Sequence, residues 1–211
     1  MPTWEIEDKI GGAVCGVDEA GRGPWVGPVA AGAVMFLSRD VNPEILAQID
    51  DSKKLTAKKR EKLYDLLLQE AKAGRLTYGI GIADAAEIDA LNILQATFLA
   101  MKRAVAQLNP QPQHALIDGN RLPADFGCAT SCYIGGDARS YSIAAASVLA
   151  KVYRDNQMKE LALKYPGYGF EKNAGYGTKD HIEGLKKYGI TPEHRKSYKP
   201  IRELLEQVDL I

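Results

Sequence analysis

The chain has 211 residues, of which 45% are hydrophobic and 26% charged, and its 27 basic and 27 acidic side chains give a formal net charge of zero. This composition is that of a globular protein and excludes disorder, collagen and coiled-coil rods as descriptions of the whole chain. A neutral total also argues against a protein that coats nucleic acid without specificity.

The N-terminal sequence and the cysteine content predict the cellular compartment of the protein. No apolar run approaches the roughly 18 residues of a membrane span. The N-terminus is acidic and lacks the basic and apolar regions of a signal peptide, so we expect a cytoplasmic protein. Cys15, Cys128 and Cys132 form no disulfide framework and predict reduced thiols.

The first part of the chain predicts a strand hairpin followed by a helix. Residues 13–17 form a short apolar run bounded by glycine, typical of a buried strand, and residues 28–37 predict its hairpin partner. Thr56 is a suitable N-cap for a helix that carries leucines at helical spacing and can end at Gly74. The side chains of residues 76–83 alternate in hydrophobicity, which predicts a third strand.

The middle of the chain predicts one helix and two strands. Residues 84–87 match a capping box, and apolar side chains then recur at spacings of three and four from Leu91 to Leu108. This periodicity predicts one long amphipathic helix. Residues 114–118 and 130–134 predict two short strands.

The last part of the chain predicts helices separated by loops. Residues 140–165 favour a helix, in which the small residues 144–147 permit very close packing. A glycine-rich loop at 167–177, a short helix at 179–188 and a final helix at 201–208 follow. Because the strands come early and the helices alternate with them, we predict an α/β fold with a mixed sheet and a small C-terminal helical appendage.

Four acidic residues follow predicted strands or glycines: Asp18, Glu19, Asp118 and Asp137. Acids at the carboxyl ends of buried strands in an α/β sheet point into the crevice where ligands bind. Carboxylates that approach one another need a proton or a cation between them, and oxygen ligands favour Mg²⁺ or Mn²⁺. Taken singly, Asp118 and Asp137 also fit a turn cap and a helix cap; taken together, the acids favour a metal site.

The residues next to the first acids point to a ligand loop. Asp18 and Glu19 are adjacent, so on a regular strand they face opposite sides and share a site only if the strand ends or distorts there. The segment Gly21-Arg22-Gly23 makes such a break plausible, lets main-chain N–H groups approach a ligand, and offers a planar cation to phosphate. A plain turn is the alternative.

Two basic segments interrupt the neutral chain. Residues 51–62 carry six basic and two acidic side chains, and residues 179–202 carry seven and three. Each is either a solvated helix face or a contact to several phosphates, and we expect Lys53 and Lys54 to bind substrate. The second segment contains His181 and His194, which we expect at the surface or close to phosphate rather than in catalysis.

These residues resemble the ribonuclease HII family, the type 2 ribonucleases H. The matching segments occur in order over roughly residues 14–200 and include GVDEAGRGP at 16–24, DSKKLT at 51–56, DGN at 118–120, GDA at 136–138, SIAAAS at 142–147 and GYGTK at 175–179. The sequence departs from the family's pattern at Gly135 and Tyr141. These two differences affect the expected substrate contacts and leave the four acids in place.

The resemblance implies an RNase H-like catalytic domain over residues 1–175 and a helical substrate-binding extension over residues 176–211. It implies a monomeric endonuclease with two Mg²⁺ or Mn²⁺ ions, which cleaves the RNA strand of RNA–DNA hybrids and the 5′ side of ribonucleotides embedded in duplex DNA, leaving 3′-hydroxyl and 5′-phosphate ends. The residues that match family functions are the catalytic and metal-binding acids Asp18, Glu19, Asp118 and Asp137, the ribonucleotide-reading loop Gly21, Arg22 and Gly23, and the junction-stacking Tyr176.

Two other classes of function compete with this one. Another two-metal nuclease of the same fold, such as a Holliday-junction resolvase, would lack the DEAGRG run at residues 18–23. A non-catalytic protein that binds hybrids would be expected to have lost at least one of the four acids, and all four are present.

Overall fold

A mixed sheet of five strands forms the centre of the fold. The computed structural model describes residues 1–49 and 55–208. Its strands are β1 (Val14–Ala20), β2 (Val29–Phe36), β3 (Leu76–Ala83), β4 (His114–Asp118) and β5 (Ala129–Tyr133). Their order across the sheet is β3-β2-β1-β4-β5; β1–β2 and β2–β3 are antiparallel, and β1–β4 and β4–β5 are parallel. The predicted strands, the hairpin and the mixed sheet are confirmed.

Helices precede the sheet, alternate with its strands and follow it in the chain. They are α1 (Glu5–Ile10), α2 (Pro43–Gln48), α3 (Ala57–Lys72), α4 (Ala85–Leu91), α5 (Ile93–Val105), α6 (Tyr141–Lys164), α7 (Phe170–Asn173), α8 (Lys179–Tyr188) and α9 (Lys199–Val208). The predicted cap at Thr56 is confirmed, since its hydroxyl accepts a hydrogen bond from the Lys59 amide. No helix formed by the described residues has both the length and the apolar character that a membrane crossing requires.

The amphipathic helix predicted from Leu91 to Leu108 is confirmed as α5, in which Phe98, Met101 and Val105 are buried, but it begins only at Ile93 because the chain turns at Asn92. This residue has φ 69° and ψ 161°, a conformation outside the helical region, so the helix cannot continue through it. Its side chain accepts hydrogen bonds from the amides of Leu94 and Gln95 and so caps the N-terminus of a second helix, α5. Leu91 consequently lies 41% exposed instead of on the buried face.

Helix α6 packs against one face of the sheet at unusually short range. A Cβ atom on Gly16 of β1 would lie 2.1 Å from the backbone carbon of Ser142, and one on Gly32 of β2 would lie 2.3 Å from the carbonyl oxygen of Ala146. The close packing predicted for residues 144–147 is therefore confirmed. It places Ser147 in hydrogen-bonding reach of Asp18 on β1.

The C-terminal segment packs on the chain that leaves β1. Val26 pairs with His194 in an antiparallel bridge, and the Trp25 amide donates to the carbonyl of Gly175 at 2.9 Å. Val26 also lies in an apolar cluster with Phe170 and Leu185. The division of the chain after residue 175 stays a prediction.

Candidate active site

Acidic side chains meet where the parallel strands β1 and β4 end. Asp18 and Glu19 lie near the end of β1, and Asp118 is the last residue of β4. Asp137 lies in a short 3-10 turn, Gly136–Ala138, whose Gly136 amide donates to Asp118 Oδ1 at 2.7 Å. The turn is thereby held against the end of β4, and Asp137 is buried beside it.

Asp18 is buried and has a raised pKa. Its side chain is 2% exposed, its Oδ1 accepts the Glu19 amide at 2.7 Å, and its Oδ2 is buried without a hydrogen-bond partner among the described residues. Burial raises the pKa of Asp18 well above its ordinary value, the negative charges of Glu19 and Asp118 raise it further, and the Ser147 hydrogen bond opposes them. A buried, unpaired carboxylate oxygen among like charges requires a proton or a cation.

The expected break in the strand after Asp18 is not observed. β1 stays paired with β2 as far as Ala20, whereas its pairing with β4 ends at Val17. Beyond Val17 only β2 pairs with β1, and β4 ends at Asp118, one residue after its last pairing with β1. The carboxylates of Glu19 and Asp118 are both close enough to Asp18 for their charges to raise its pKa, although β1 itself is regular.

The four carboxylates are suitable ligands for a hard divalent cation, although their side chains are not yet arranged around a common metal position. Four carboxylates without cysteine or histidine are ligands of the kind that Mg²⁺ and Mn²⁺ prefer. Within the described residues, no three His, Cys, Asp or Glu side chains are arranged to hold a metal ion as they stand. One reason is visible at Glu19, whose Oε1 forms an ion pair with Arg22 Nη1 at 3.3 Å.

Two buried arginines, Arg154 and Arg195, contact the backbone of the Gly21-Arg22-Gly23 loop from the protein interior. Arg195 donates to the carbonyls of Gly21 at 2.6 Å and of Arg22 at 3.0 Å. Gly21 has φ 96°, and a Cβ atom there would lie 1.9 Å from Nε of Arg154. The carbonyls therefore face the protein. Arg22 and Gly23 are exposed residues, and their amides donate to no other described residue.

Neither buried arginine was predicted as functional from the sequence. Arg154 and Arg195 are 2% and 0% exposed, and each donates to carbonyls of the chain between β1 and β2. Burial lowers the pKa of Arg154 to about 10, so the guanidinium stays charged at neutral pH. Arginine spacing alone does not distinguish such anchors from surface cations, because the carbonyls they bind lie more than a hundred residues away in the chain.

Tyr176 faces the same loop from the C-terminal segment. Its side chain is 52% exposed, and a Cβ atom on Gly23 would lie 3.3 Å from its ring. A cavity of about 250 Å³ lies between Glu19, the glycine loop, Lys151 and Tyr176. The flanking glycines give close packing and not mobility, because a Cβ atom on Gly177 would lie 2.0 Å from the Trp25 ring.

Other predicted residues lie elsewhere. The expectation of surface histidines is wrong, since His181 and His194 are both 0% exposed. Tyr141 packs its ring on Trp4 with centroids 4.7 Å apart, which gives it a structural contact. The predicted substrate-binding residues Lys53 and Lys54 lie outside the described residues.

The fold and the site define a class of protein before any comparison. A mixed sheet that carries acids at the adjacent ends of its central parallel strands, with a glycine loop and a basic segment nearby, is the architecture of the RNase H-like nucleases. Comparison with known proteins narrows this class. Residues 15–201 match the model of the Ribonuclease HII family.

The chain belongs to the ribonuclease HII family. It is 51% identical over 205 residues to the Ribonuclease HII of Rhodospirillum rubrum, which covers 97% of this chain and 92% of that relative. It superposes on the crystal structure of ribonuclease H2 from Pyrococcus horikoshii OT3 with a TM-score of 0.76 and 27% identity, over 94% of this chain and 99% of that one.

Likeness to a type 3 enzyme shows the fold alone. Bst-RNase HIII, solved in complex with Mn²⁺, gives a TM-score of 0.71 at 16% identity, over 94% of this chain and 71% of that one. The family places the chain among hydrolases that cut phosphodiester bonds within an RNA strand and depend on divalent metal ions.

Proposed function

We propose that Asp18, Glu19, Asp118 and Asp137 hold two divalent ions, Mg²⁺ or Mn²⁺, and that the enzyme cleaves RNA paired with DNA. Its substrates are the RNA strand of hybrids and single ribonucleotides in duplex DNA, which it cuts on the 5′ side to leave 3′-hydroxyl and 5′-phosphate ends. The observation that carries the proposal is the buried Oδ2 of Asp18, unpaired among the described residues and repelled by the charges of Glu19 and Asp118.

The protein's own residues place these carboxylates. When bound, divalent ions supply an activated water and stabilise the leaving oxygen of an in-line displacement at phosphorus. Asp18 is oriented by the Glu19 amide and by the hydroxyl of Ser147. Asp118 is oriented by the Gly136 amide, which also keeps the turn that carries Asp137 at the site.

Recognition of RNA requires a group that reads the ribose 2′-hydroxyl. The amides of Arg22 and Gly23 suit this role, because both residues are exposed, neither amide has a described partner, and Arg195 fixes the carbonyls of Gly21 and Arg22. A loop that is already rigid loses little conformational freedom when a strand binds it. The missing side chain at Gly23 lets the sugar approach the backbone closely.

Tyr176 supplies the second half of the recognition. Its exposed ring lies over Gly23, so a nucleotide bound at the loop places the neighbouring sugar against the ring. A deoxyribose stacks there without the 2′-hydroxyl that would crowd the ring. The arrangement favours a junction between a ribonucleotide and a deoxyribonucleotide, and every residue invoked comes from a single chain, in keeping with a monomer.

Cleavage of defined duplexes tests the proposal. The substrates are a DNA duplex with one ribonucleotide, a uniform RNA–DNA hybrid and an all-DNA duplex, each with Mg²⁺, Mn²⁺ or EDTA. We expect cleavage of the first two with either ion, none with EDTA, and none of the all-DNA duplex. Cleavage that persists in EDTA, or product ends other than 3′-hydroxyl and 5′-phosphate, would contradict the proposal.

Two variants test the residues. Asp118→Asn preserves shape and the Gly136 hydrogen bond but removes a charge, so it should bind the hybrid and fail to cut it. Tyr176→Ala should lose about tenfold in kcat/KM on the single ribonucleotide and less on the hybrid, since stacking contributes roughly 1–3 kcal/mol. Tyr176→Phe keeps the ring and serves as the matched control. Tight binding without turnover by the wild-type protein would instead favour a hybrid-binding protein.

A further inference from the structure

Two buried histidines touch each other beneath the Tyr176 segment. His181 belongs to α8 and His194 to the connector that leads to α9, and both are 0% exposed. Their Nε2 atoms are 3.1 Å apart, which is a hydrogen-bond distance. One of these nitrogens must therefore donate and the other accept.

The neighbouring backbone groups decide which nitrogen carries the proton. The Thr191 amide, which can only donate, lies 2.8 Å from His194 Nδ1, with the Thr191 hydroxyl at 2.9 Å from the same atom. His194 Nδ1 is therefore the acceptor, and the proton of that ring is on Nε2. At the other end, His181 Nδ1 lies 3.0 Å from the carbonyl oxygen of Tyr176, which can only accept.

Only one neutral arrangement satisfies every contact. The Thr191 amide donates to His194 Nδ1, His194 Nε2–H donates to His181 Nε2, and His181 Nδ1–H donates to the Tyr176 carbonyl. Burial lowers the pKa of both imidazoles, that of His194 to about 4 with the help of its partner, so both rings are neutral at physiological pH. We call this set of hydrogen bonds the histidine relay.

The relay ends on the backbone that carries the exposed ring. The Tyr176 carbonyl also accepts the Thr178 amide at 2.8 Å, and the Tyr176 amide donates to the Asn173 carbonyl at 2.9 Å. The Tyr176 hydroxyl forms no hydrogen bond with another described residue. The position of the ring is accordingly set by its main chain and by its packing against Gly23, and not by a hydrogen bond of its own.

The start of the relay lies next to the anchor of the glycine loop. His194 precedes Arg195, whose guanidinium holds the carbonyls of Gly21 and Arg22. The same short connector thus fixes the loop through Arg195 and the ring through His194.

We propose that His181 and His194 are positioning residues that fix Tyr176 relative to the Gly21-Arg22-Gly23 loop and so set the preference for a ribonucleotide junction over a uniform hybrid. This inference rests on the proposed role of Tyr176 in substrate recognition. Neither histidine touches substrate. Both act through the main-chain carbonyl of Tyr176.

A merely structural role is the alternative, because both rings also lie among aromatic side chains. His181 has its ring centroid 5.5 Å from that of Trp25 and 5.2 Å from that of Phe170, and His194 lies 5.6 Å from Tyr168. Removal of either ring therefore costs stability whatever the relay does. The test therefore needs two variants that both lack the imidazole ring. They should differ only in which hydrogen bond of His181 is retained.

Amides provide such a matched pair at position 181. In His181→Asn the side-chain NH₂ falls near the place of Nδ1 and can still donate to the Tyr176 carbonyl. In His181→Gln the amide reaches the place of Nε2 and can accept from His194, but the bond to Tyr176 is lost. Thermal unfolding establishes that both variants fold and to what degree each is destabilised.

The kinetic readout is the ratio of kcat/KM on the single-ribonucleotide duplex to that on the uniform hybrid. We expect His181→Gln to lower this ratio about two- to tenfold, the range of one hydrogen bond, and His181→Asn to lower it less. In a Tyr176→Ala background, His181→Gln should lower the ratio no further. Equal ratios for the two amide variants, or an undiminished effect in the Tyr176→Ala background, would overturn the relay.

A readout without substrate separates this inference from the proposed function. In protein labelled with ¹³C-tyrosine, the ring signal of Tyr176, assigned by its absence in Tyr176→Phe, should shift or broaden in His181→Gln and stay close to wild type in His181→Asn. Identical spectra for the two variants would overturn the relay. A spectral difference without a change in the kinetic ratio would uphold the relay as an anchor and contradict the role of Tyr176 in recognition.

Discussion

Replacing Asp18 with asparagine should stabilise the metal-free protein while it abolishes cleavage. Asparagine keeps the acceptor for the Glu19 amide and removes the charge from a side chain that is 2% exposed. Its NH₂ group can donate to the carboxylates of Glu19 or Asp118, which repel Asp18 in the native protein. A buried polar group left unpaired costs about 1–3 kcal/mol, so we expect the free energy of unfolding in EDTA to rise by about that amount.

The gain should depend on pH in a defined direction. The pKa of Asp18 is raised in the folded protein, whereas in the unfolded chain it lies at about 3.9. Between these two values the folded state holds more protons than the unfolded state, so the stability of the wild-type protein falls as the pH rises through this window. Below the unfolded value Asp18 is neutral in both states, and the advantage of Asp18→Asn over the wild type should disappear.

Thermal unfolding measures this effect. For a chain of this size 1 kcal/mol corresponds to about 2–4 °C, so Asp18→Asn should melt about 2–12 °C above the wild type in EDTA at neutral pH. Saturating Mg²⁺ should narrow the difference, because an ion that binds only the folded wild-type protein stabilises it by mass action. Asp65→Asn, at an exposed position of α3, is the control for charge alone.

Two results would refute the reasoning. A melting temperature of Asp18→Asn equal to or below that of the wild type in EDTA would show that the buried carboxylate carries no electrostatic penalty. Turnover close to that of the wild type at saturating Mg²⁺ or Mn²⁺ would show that Asp18 does not hold the metal.

Three further perturbations follow from the packing and the charges. Gly16→Ala should destabilise the protein by about 1–3 kcal/mol in thermal unfolding, since its Cβ would meet the Ser142 backbone of α6; an unchanged melting temperature would contradict that close contact. Arg195→Lys should cost about 2 kcal/mol and raise KM more than it lowers kcat, because an ammonium cannot reproduce the fork that holds the loop carbonyls; wild-type stability and KM would argue against that anchor. Replacing Lys53 and Lys54 by alanine should weaken binding to all duplexes alike and reduce the salt dependence of binding by up to about two phosphate contacts; an unchanged slope in a binding titration would return these lysines to a solvated surface.

Local features of the sequence were sufficient for the strands, the caps and the acids. The run from Ala13 to Val17, the cap at Thr56 and the capping box at Asp84 depend on residues within one or two turns of each other, and the structure contains all three. The positions of Asp18 and Asp118 near strand ends followed from the same local patterns, whereas the adjacency of the two strands is given by the sheet order. Hydrophobic periodicity failed at Asn92, because one capping residue outside the helical region outweighed a spacing that continued through it.

Only the tertiary structure decided which polar side chains are buried. Arg195, His181 and His194 lie in a segment whose composition is that of a solvated surface, and burial of such groups is unfavourable unless partners satisfy them. The partners are carbonyls of Gly21 and Gly27 for the guanidinium, and each other for the imidazoles. The Arg195 contacts join residues 168 and 174 positions apart, and the histidine contact joins α8 to the connector before α9, so neither follows from a local sequence pattern. The sequence by itself determined the acids and the loop, whereas the contacts that hold the loop and Tyr176 in place depend on how these segments pack together, because only packing supplies partners for their buried polar groups.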